Sequence, residues 1–181
     1  MIQNETIANL LTRVTVRRFT DEPVSDADLH VLLQAAMAAP SSMNLQPWHF
    51  IVVRDEAVKQ CLKDCLPYAK MVNKGCTGIV VCGDVSLYEH INQVDKEDNT
   101  LYWVQDCSAA SENILVAAHA MGLGAVWTGG SPLESRVAKL RELLAIPAHI
   151  VPLNLILVGH PVTIPQPKNK WNETRIHYDT Y

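Results

Sequence analysis

The segment "RVTVRRF", residues 13–19, carries polar side chains at alternate positions. In an extended segment, Arg13, Thr15 and Arg17 would point the same way, because side chains alternate with a period of two. Two guanidinium groups and a hydroxyl on one side form a suitable receptacle for a phosphate group. A solvated surface stretch would have the same composition, and the segment alone does not decide between the two interpretations.

A second polar segment, "AAPSSMNLQPWHF", spans residues 38–50. Pro40 and Pro47 restrain its backbone. An amide side chain supplies one acceptor and one donor, so it can pair with a ring that carries adjacent N–H and C=O groups. A capped turn between a helix and a strand is the alternative, but such a turn needs one or two polar residues. This segment has four, namely Ser41, Ser42, Asn44 and Gln46.

The third segment, "GLGAVWTGG", spans residues 122–130 and holds four of the 8 glycines in the chain. Gly122 follows a predicted helix, where glycine is a common C-terminal cap. Gly129 and Gly130 follow a predicted strand, and adjacent glycines let the backbone approach a flat ligand closely. A tight turn before the next helix is the alternative. Taken together, the three segments suit a phosphorylated heterocycle.

Several known motifs are absent from the sequence. No strand is followed by GxGxxG, and there is no GxxxxGK[ST], so the fingerprints for dinucleotides and nucleoside triphosphates are missing. There is no GxSxG nucleophile motif. The 7 histidines show no HExxH or other metal-ligand spacing. We therefore predict no metal site and no nucleophilic catalytic residue.

The composition predicts one globular domain over residues 1–181. A net charge of -4 disfavours a nucleic-acid binder, and no apolar run reaches the length of a membrane helix. The first residues do not resemble a signal peptide, so a cytoplasmic location is expected. The 5 cysteines lack CxxC spacing, which favours ordinary buried thiols over disulfides or a zinc site, including for Cys61 and Cys65.

Hydrophobic periodicity predicts strands alternating with helices, in an α+β or α/β layer fold. Residues 85–103 are ambiguous and would suit a lid or a short helical insertion. Pro152 indicates that its strand begins at an edge or a bulge. The predicted strands are 48–54, 78–84, 124–128 and 149–159. Three of the predicted helices are 5–12, 56–66 and 104–121. Two more helices are predicted, one from Ser25 to Pro40 and one that starts with Ser131 as its cap and Pro132 at its first position.

Two segments carry apolar surface that needs a packing partner. The helix 104–121 is apolar nearly all the way round, which indicates burial in a large core or against another subunit. Because the chain is small, the second explanation gains weight. The tail 162–181 combines prolines with aromatic side chains, so it is expected to stay extended and to pack on a surface.

Three blocks of the sequence resemble the nitroreductase family of FMN-dependent oxidoreductases: "RVTVRRFTDEPVSDADLHVLLQAAMAAPSSMNLQPWHFIVV", "DCSAASENILVAAHAMGLGAVWTGG" and "GHPVTIPQPKNK". The resemblance implies a three-layer α+β fold, with a mostly antiparallel sheet flanked by helices. It also implies a homodimer with exchanged C-terminal arms and two FMN sites at the interface. NAD(P)H would be the reductant, and nitroaromatics, quinones or related small molecules the acceptors.

The resemblance also implies roles for individual residues. Arg13 and Thr15 would bind the FMN phosphate, and Arg17 would lie near the pyrimidine edge of the flavin. The opposite subunit would provide Ser41, Ser42 and Asn44, with Asn44 reading the ring. Gly129 would donate its N–H toward flavin N5, and Lys168 and Lys170 would complete the phosphate site. The full implied FMN-binding set is Arg13, Val14, Thr15, Arg17, Pro40, Ser41, Ser42, Asn44, Gln46, Trp127, Thr128, Gly129, Gly130, Lys168 and Lys170.

Two other functions fit parts of the sequence. A flavin-binding redox sensor or partner protein would share the fold but turn over little. A thiol-based redox protein would use the cysteines, although no pair is spaced for it. A bound flavin distinguishes the first two functions from the third.

Overall fold

The computed structural model describes residues 4–89 and 101–181. Most predicted elements are present there, with boundaries shifted by a few residues at most. The helices are α1 (Glu5–Thr12), α2 (Asp26–Met37), α3 (Glu56–Cys65), α4 (Leu101–Ala120) and α5 (Glu134–Leu144). The strands are β1 (Trp48–Val53), β2 (Thr77–Asp84), β3 (Gly124–Gly129) and β4 (Ile150–Gly159), and short 3-10 turns cover Ser42–Asn44, Val85–Tyr88 and Glu173–Arg175.

The four strands form one sheet in the order β1-β2-β4-β3, and every neighbouring pair is antiparallel. β4 therefore lies inside the sheet, where proline is rarely tolerated. Val81 pairs with Asn154 and Cys82 with Pro152, so Leu153 is an extra residue in β4. Pro152 is thus accommodated at a bulge, one of its two predicted positions.

Helices cover both faces of the sheet, which gives three layers. On one face Leu32 of α2 and Ile114 of α4 share a buried cluster with Ile156 of β4. On the other face Leu62 of α3 and Leu140 of α5 pack in a second cluster. Because β2 and β4 are buried on both faces, their sequences are continuous apolar runs and do not alternate between apolar and polar residues. The α+β class and the antiparallel sheet are confirmed.

The predicted start of α2 is confirmed, whereas the predicted start of α5 is wrong. Ser25 caps α2: its Oγ accepts from Asp28 N–H at 3.0 Å and donates to the Asp28 carboxylate at 2.7 Å. The predicted capping of α5 by Ser131 is wrong, because α5 begins at Glu134 without a side-chain cap. Ser131 N–H instead donates to Leu153 O at 2.9 Å, which holds Ser131 at the end of the sheet.

The ambiguous segment 85–103 is only partly described. Val85–Tyr88 forms a 3-10 turn, and α4 begins at Leu101. The expected lid or insertion falls mostly on residues 90–100, outside the described residues. Within the described ranges, the helices are all too short or too polar to cross a membrane.

Candidate functional site

The segment 13–19 lies along the outer edge of β3. Thr15 forms a parallel bridge with Ala125, and Val16 N–H donates to Ala125 O at 3.0 Å. Val16 is buried, and a Cβ at Gly124 would lie only 2.6 Å from its side chain. Because Val16 points inward, period-two alternation turns Thr15 and Arg17 toward the opposite side, as the sequence predicts.

That opposite side is a wall of a cleft of about 910 Å³, which we call the basic cleft. It is lined by the end of α1, by Arg13, Val14, Thr15 and Arg17, and by residues 165–171 of the C-terminal segment. It brings six of the predicted site residues together within one chain. They are Arg13, Val14, Thr15, Arg17, Lys168 and Lys170. Four of these side chains are cationic, so the cleft favours an anion.

Arg13 is the cation of this cleft that is fixed by contacts. Its N–H donates to Asn9 O at 3.0 Å at the C-terminal end of α1, and its Nε pairs with Glu112 Oε1 of α4 at 3.2 Å. The side chain is 17% exposed. Glu112 engages Nε, so among the described residues the terminal nitrogens of the guanidinium group stay without a hydrogen-bond partner and are available to an anion.

A histidine lies beside this ion pair. His119 Nε2 is 3.0 Å from Thr12 Oγ1. Burial lowers the pKa of His119, and the charge of Arg13 lowers it further. His119 is therefore neutral at neutral pH, and the positive potential of the cleft comes from arginine and lysine.

Loop 40–46, which follows α2, has a strained backbone. Leu45 N–H donates to Ser42 O at 3.0 Å across a turn whose central residues, Met43 and Asn44, have φ of 47° and 56°. Two positive φ values define a type I′ turn, which normally selects Asn-Gly. Gln46 also has a positive φ of 50°. Each such residue costs about 1–3 kcal/mol, so other contacts must hold the loop.

Hydrogen bonds to two side chains hold that backbone. Gln46 N–H donates to Ser41 Oγ at 3.0 Å, and Ser42 N–H donates to the Asp106 carboxylate of α4. Asn44 is exposed. Pro40, Ser41 and Ser42 line a second cleft of about 450 Å³, distinct from the basic cleft.

At the end of β3 the two predicted glycines, Gly129 and Gly130, have different surroundings. Gly130 N–H donates to Leu153 O at 3.0 Å, and a Cβ there would lie 3.2 Å from Leu140. Gly129 and Asn154 therefore form a non-hydrogen-bonded pair, so Gly129 N–H points away from β4 toward the free edge. A Cβ at Gly129 would meet no atom within 4 Å. Gly129 is thus open to a ligand, whereas Gly130 is packed.

The two residues before Gly129 also differ. Thr128 is buried and its Oγ1 donates to Leu155 O at 3.0 Å, so its side chain serves the sheet. Trp127 is 37% exposed on the opposite face of the strand. Of this pair, only Trp127 offers a side chain to a ligand at the edge of β3.

Two acidic residues of α4, Asp106 and Glu112, were not predicted from the sequence. They are the only acidic residues among the 20 residues of this largely apolar helix. Such isolated acids must find partners in the fold, and that pattern is a signal that could have identified them. Here the partners are the backbone of Ser42 and the side chain of Arg13, both predicted site residues.

All five cysteines are free, and burial raises the pKa of Cys82 and Cys107 to about 12. Such thiols are poor nucleophiles. The prediction of buried thiols holds for Cys76, Cys82 and Cys107 but is wrong for Cys61, which faces solvent on α3.

The sequence and the fold both match known proteins. The model of the nitroreductase family matches residues 10–160. A crystal structure from Parabacteroides distasonis, provisionally named NADH dehydrogenase/NAD(P)H nitroreductase, is 41% identical with a TM-score of 0.89, covering 99% of this chain and 100% of that one.

Two further relatives carry more specific names. The oxygen-insensitive NADPH nitroreductase of Salmonella typhimurium is 31% identical over 180 residues, which cover 97% of this chain and 74% of that protein. The structure of an FMN-dependent nitroreductase from Clostridium difficile is 26% identical with a TM-score of 0.82, covering 97% of this chain and 99% of that one. The chain therefore belongs to the nitroreductase family.

Proposed function

We propose that this protein is an FMN-dependent oxidoreductase that uses NAD(P)H to reduce small acceptors such as nitroaromatics and quinones. The observation that carries the proposal is the basic cleft, in which Arg13, Thr15, Arg17, Lys168 and Lys170 converge. Family membership supplies the cofactor class, since relatives are named as FMN-dependent and NADPH-using enzymes. We further propose a single cytoplasmic domain over residues 1–181.

The residues present fit FMN at both of its ends. A phosphate dianion requires cations and hydroxyl donors, which the basic cleft supplies. A flat ring requires a surface without side chains and with an available donor. Gly129 satisfies both conditions, because a Cβ would meet no atom there and its N–H points outward.

Each group of residues would have a distinct task. Arg13 and Thr15 would hold the phosphate together with the two lysines, and Gly129 N–H would orient the ring. Arg17, exposed at the cleft wall, would stabilise negative charge on the pyrimidine edge. FMN, when bound, supplies hydride transfer, and we assign no side-chain acid or base.

We also propose that each site is completed by a second copy of the chain. Within one chain, loop 40–46 and the basic cleft belong to different clefts. Helix α1 has no buried residue, and every residue of 162–181 is exposed, including Trp171 at 70% and Tyr178 at 84%. Such apolar surfaces favour a partner that covers them. The C-terminal arm, residues 162–181, would line the basic cleft of its own chain with residues 165–171 and reach the partner with residues 172–181.

The cofactor and the activity can be tested directly. The purified protein should be yellow, release FMN on denaturation, and oxidise NADH or NADPH when a quinone or nitroaromatic is added. A colourless protein that FMN does not reconstitute contradicts the proposal. A protein that binds FMN but does not turn over supports the sensor instead.

Mixed dimers would test the shared site. One chain carries Arg13→Ala, and the other carries Asn44→Gly, which removes the side chain without adding backbone strain at a positive φ. If loop and cleft come from different subunits, both changes fall in one site and the other site is intact. The mixed dimer should then bind one FMN at wild-type affinity. Two weakened sites would show that each chain builds its own.

A further inference from the structure

Asp106 is a buried carboxylate with an unusual set of partners. It lies on the inner side of α4 with 7% exposure, and both of its oxygens accept from Ser42 N–H, at 3.1 and 3.0 Å. Its Oδ2 also accepts from Tyr88 O–H at 2.5 Å. Among the described residues it has no ion-pair partner, so hydrogen bonds alone offset its charge.

Tyr88 is suited to be a permanent donor to this carboxylate. The side chain is 1% exposed at the end of the turn that follows β2. Burial raises the pKa of Tyr88, and the hydrogen bond and charge of Asp106 raise it further. The phenol therefore keeps its proton at every physiological pH, and the 2.5 Å contact is a charge-assisted hydrogen bond.

The contact between Asp106 and Ser42 stands at the base of the strained turn. Ser42 directly precedes the left-handed pair Met43 and Asn44. The remaining backbone hydrogen bonds of the loop run within it, from Asn44 N–H to Ser41 O and from Leu45 N–H to Ser42 O. In the part of the chain that the structure describes, Ser42 N–H is thus the hydrogen-bonded link between residues 41–46 and the helix layer.

We propose that Asp106 and Tyr88 are positioning residues that hold loop 40–46 in its ligand-reading conformation. The inference rests on the proposed FMN function. Neither residue would touch the flavin; Asp106 fixes Ser42, and Ser42 fixes the turn that presents Asn44. Tyr88 in turn fixes the orientation of the carboxylate.

The chemistry explains why a carboxylate is needed at position 106. Both neighbours, Ser42 N–H and Tyr88 O–H, donate hydrogen bonds, and an ionised carboxylate is an acceptor on both oxygens. An amide is uncharged and offers one acceptor oxygen, so both hydrogen bonds lose their charge assistance, and its NH₂ group faces a donor where the second carboxylate oxygen stood. Asp106→Asn should therefore loosen the loop while preserving the shape of the side chain.

The test compares Asp106→Asn and Tyr88→Phe with a matched control, Asp55→Asn. The Asp55 carboxylate also accepts from a backbone N–H, that of Val58 at 2.9 Å, but it does so at the start of α3, on the other face of the sheet. Two properties are measured: amide hydrogen exchange of residues 41–46 in the FMN-free protein, and FMN affinity by quenching of flavin fluorescence. The visible circular dichroism of bound FMN reports its surroundings.

In Asp106→Asn the Ser42 amide hydrogen should exchange roughly tenfold faster, and FMN should bind roughly tenfold more weakly, because a charge-assisted hydrogen bond is lost. Tyr88→Phe should do the same to a smaller extent, and it serves as the test if Asp106→Asn does not fold. Asp55→Asn should match the wild type in both measurements.

The outcomes separate this inference from the proposed function. Lower thermal stability with unchanged exchange, FMN affinity and flavin dichroism would show an ordinary structural role and overturn the inference. Wild-type protein that does not bind FMN would defeat the proposed function. The exchange of Ser42 would still decide whether Asp106 holds the loop.

Discussion

The basic cleft and loop 40–46 both present polar groups at the surface, but they hold them in different ways. In the cleft, Arg17, Lys168 and Lys170 extend from exposed segments, and Glu112 fixes only Arg13. In the loop, side chains and a buried carboxylate hold the backbone. The cleft thus depends on charge, and the loop depends on geometry.

This difference suits the groups that each region is proposed to recognise. Coulomb attraction acts over several ångströms and tolerates movement of a long side chain. A hydrogen bond between an amide and a ring requires distance and angle to be correct together. Cationic residues can therefore stand on an exposed arm, whereas Asn44 needs a backbone that is held in place.

Shortening the arm should give the largest effect. A chain that ends at Ile164 lacks the cleft residues 165–171 and the exposed aromatic side chains beyond them. We expect loss of dimerisation and of FMN retention together, because one segment serves both. Gel filtration and the flavin-to-protein ratio measure the two properties, and a dimeric, fully yellow product would contradict the expectation.

A second truncation separates the two contributions of the arm. A chain that ends at Trp171 keeps the whole lining of the cleft but removes the 3-10 turn Glu173–Arg175 and the residues after it. We expect weaker dimerisation with FMN affinity that recovers at high protein concentration, as mass action requires. Loss of FMN at every concentration would place part of the site beyond Trp171.

Arg13→Ala should weaken FMN binding roughly ten- to hundredfold, because a charge-assisted contact is worth about 1.5–3 kcal/mol. The affinity of the wild type should fall as salt is added, and that of the variant should fall less steeply. Titration of apoprotein at several ionic strengths measures both. Unchanged affinity in the variant would mean that the phosphate lies elsewhere.

A pair of glycine substitutions tests the assignment of the ring to the edge of β3. Gly129→Ala places a methyl group in open space, so it should leave the free energy of unfolding within about 1 kcal/mol of the wild type. In the holoprotein that methyl group would meet the ring, and FMN affinity should fall roughly 5- to 150-fold, the equivalent of about 1–3 kcal/mol of overpacking.

Gly130→Ala is the matched control. Its Cβ would lie 3.2 Å from Leu140 Cδ1 and 3.3 Å from Leu153 O, so the cost of about 1–3 kcal/mol should appear in stability instead of affinity. Denaturant unfolding and FMN titration of both variants distinguish the two effects. Equal FMN affinity in Gly129→Ala and the wild type would remove Gly129 from the site.

Arg17→Ala should change the redox properties of bound FMN more than its affinity. Without the cation, the midpoint potential should become more negative by roughly 30–60 mV, or about 1.4–2.8 kcal/mol for a two-electron couple. Reduction by NAD(P)H should slow accordingly. Spectroelectrochemical titration measures the potential, and a value that stays constant or rises would refute the role of Arg17.

The smallest effect concerns His119. Burial and the charge of Arg13 lower its pKa in the folded protein, so the unfolded protein binds the proton more readily. This contribution to stability is present above the ordinary pKa of about 6.5 and is lost as the pH falls through that value toward the folded one. An NMR titration should show the lowered pKa, and Arg13→Ala should raise it partway. Equal values in both proteins would show that Arg13 has no influence.

Several elements could be predicted because local chemistry decides them. Ser25 with Asp28 predicts the start of α2, since capping needs contacts only three residues apart. Apolar runs predict β2 and β4, because strands covered on both faces contain few polar residues. The predicted start of α5 is wrong because a distant contact decides it. The backbone carbonyl of Leu153, 22 positions away, accepts from the Ser131 N–H.

Lys59 illustrates what a pattern within one helix does not reveal. From the sequence alone, a lysine in α3 would be predicted to lie in solvent, yet Lys59 is only 2% exposed. Its ammonium group donates to three backbone carbonyls of the loop 73–76, at 2.9–3.1 Å, and pairs with Glu56. Buried charge is tolerated because those acceptors converge, and the fold alone brings them together.

The sequence by itself determined which residues are available for a phosphate and a ring, because residue type and spacing set charge, hydrogen-bonding capacity and alternation. It therefore indicated the residues of the basic cleft and of loop 40–46. Only the tertiary structure decided that Glu112 fixes Arg13, that Asp106 holds Ser42, and that Gly129 is open while Gly130 is packed. The polar contacts among them join residues 23 to 99 positions apart, and only folding brings such distant residues within hydrogen-bond distance.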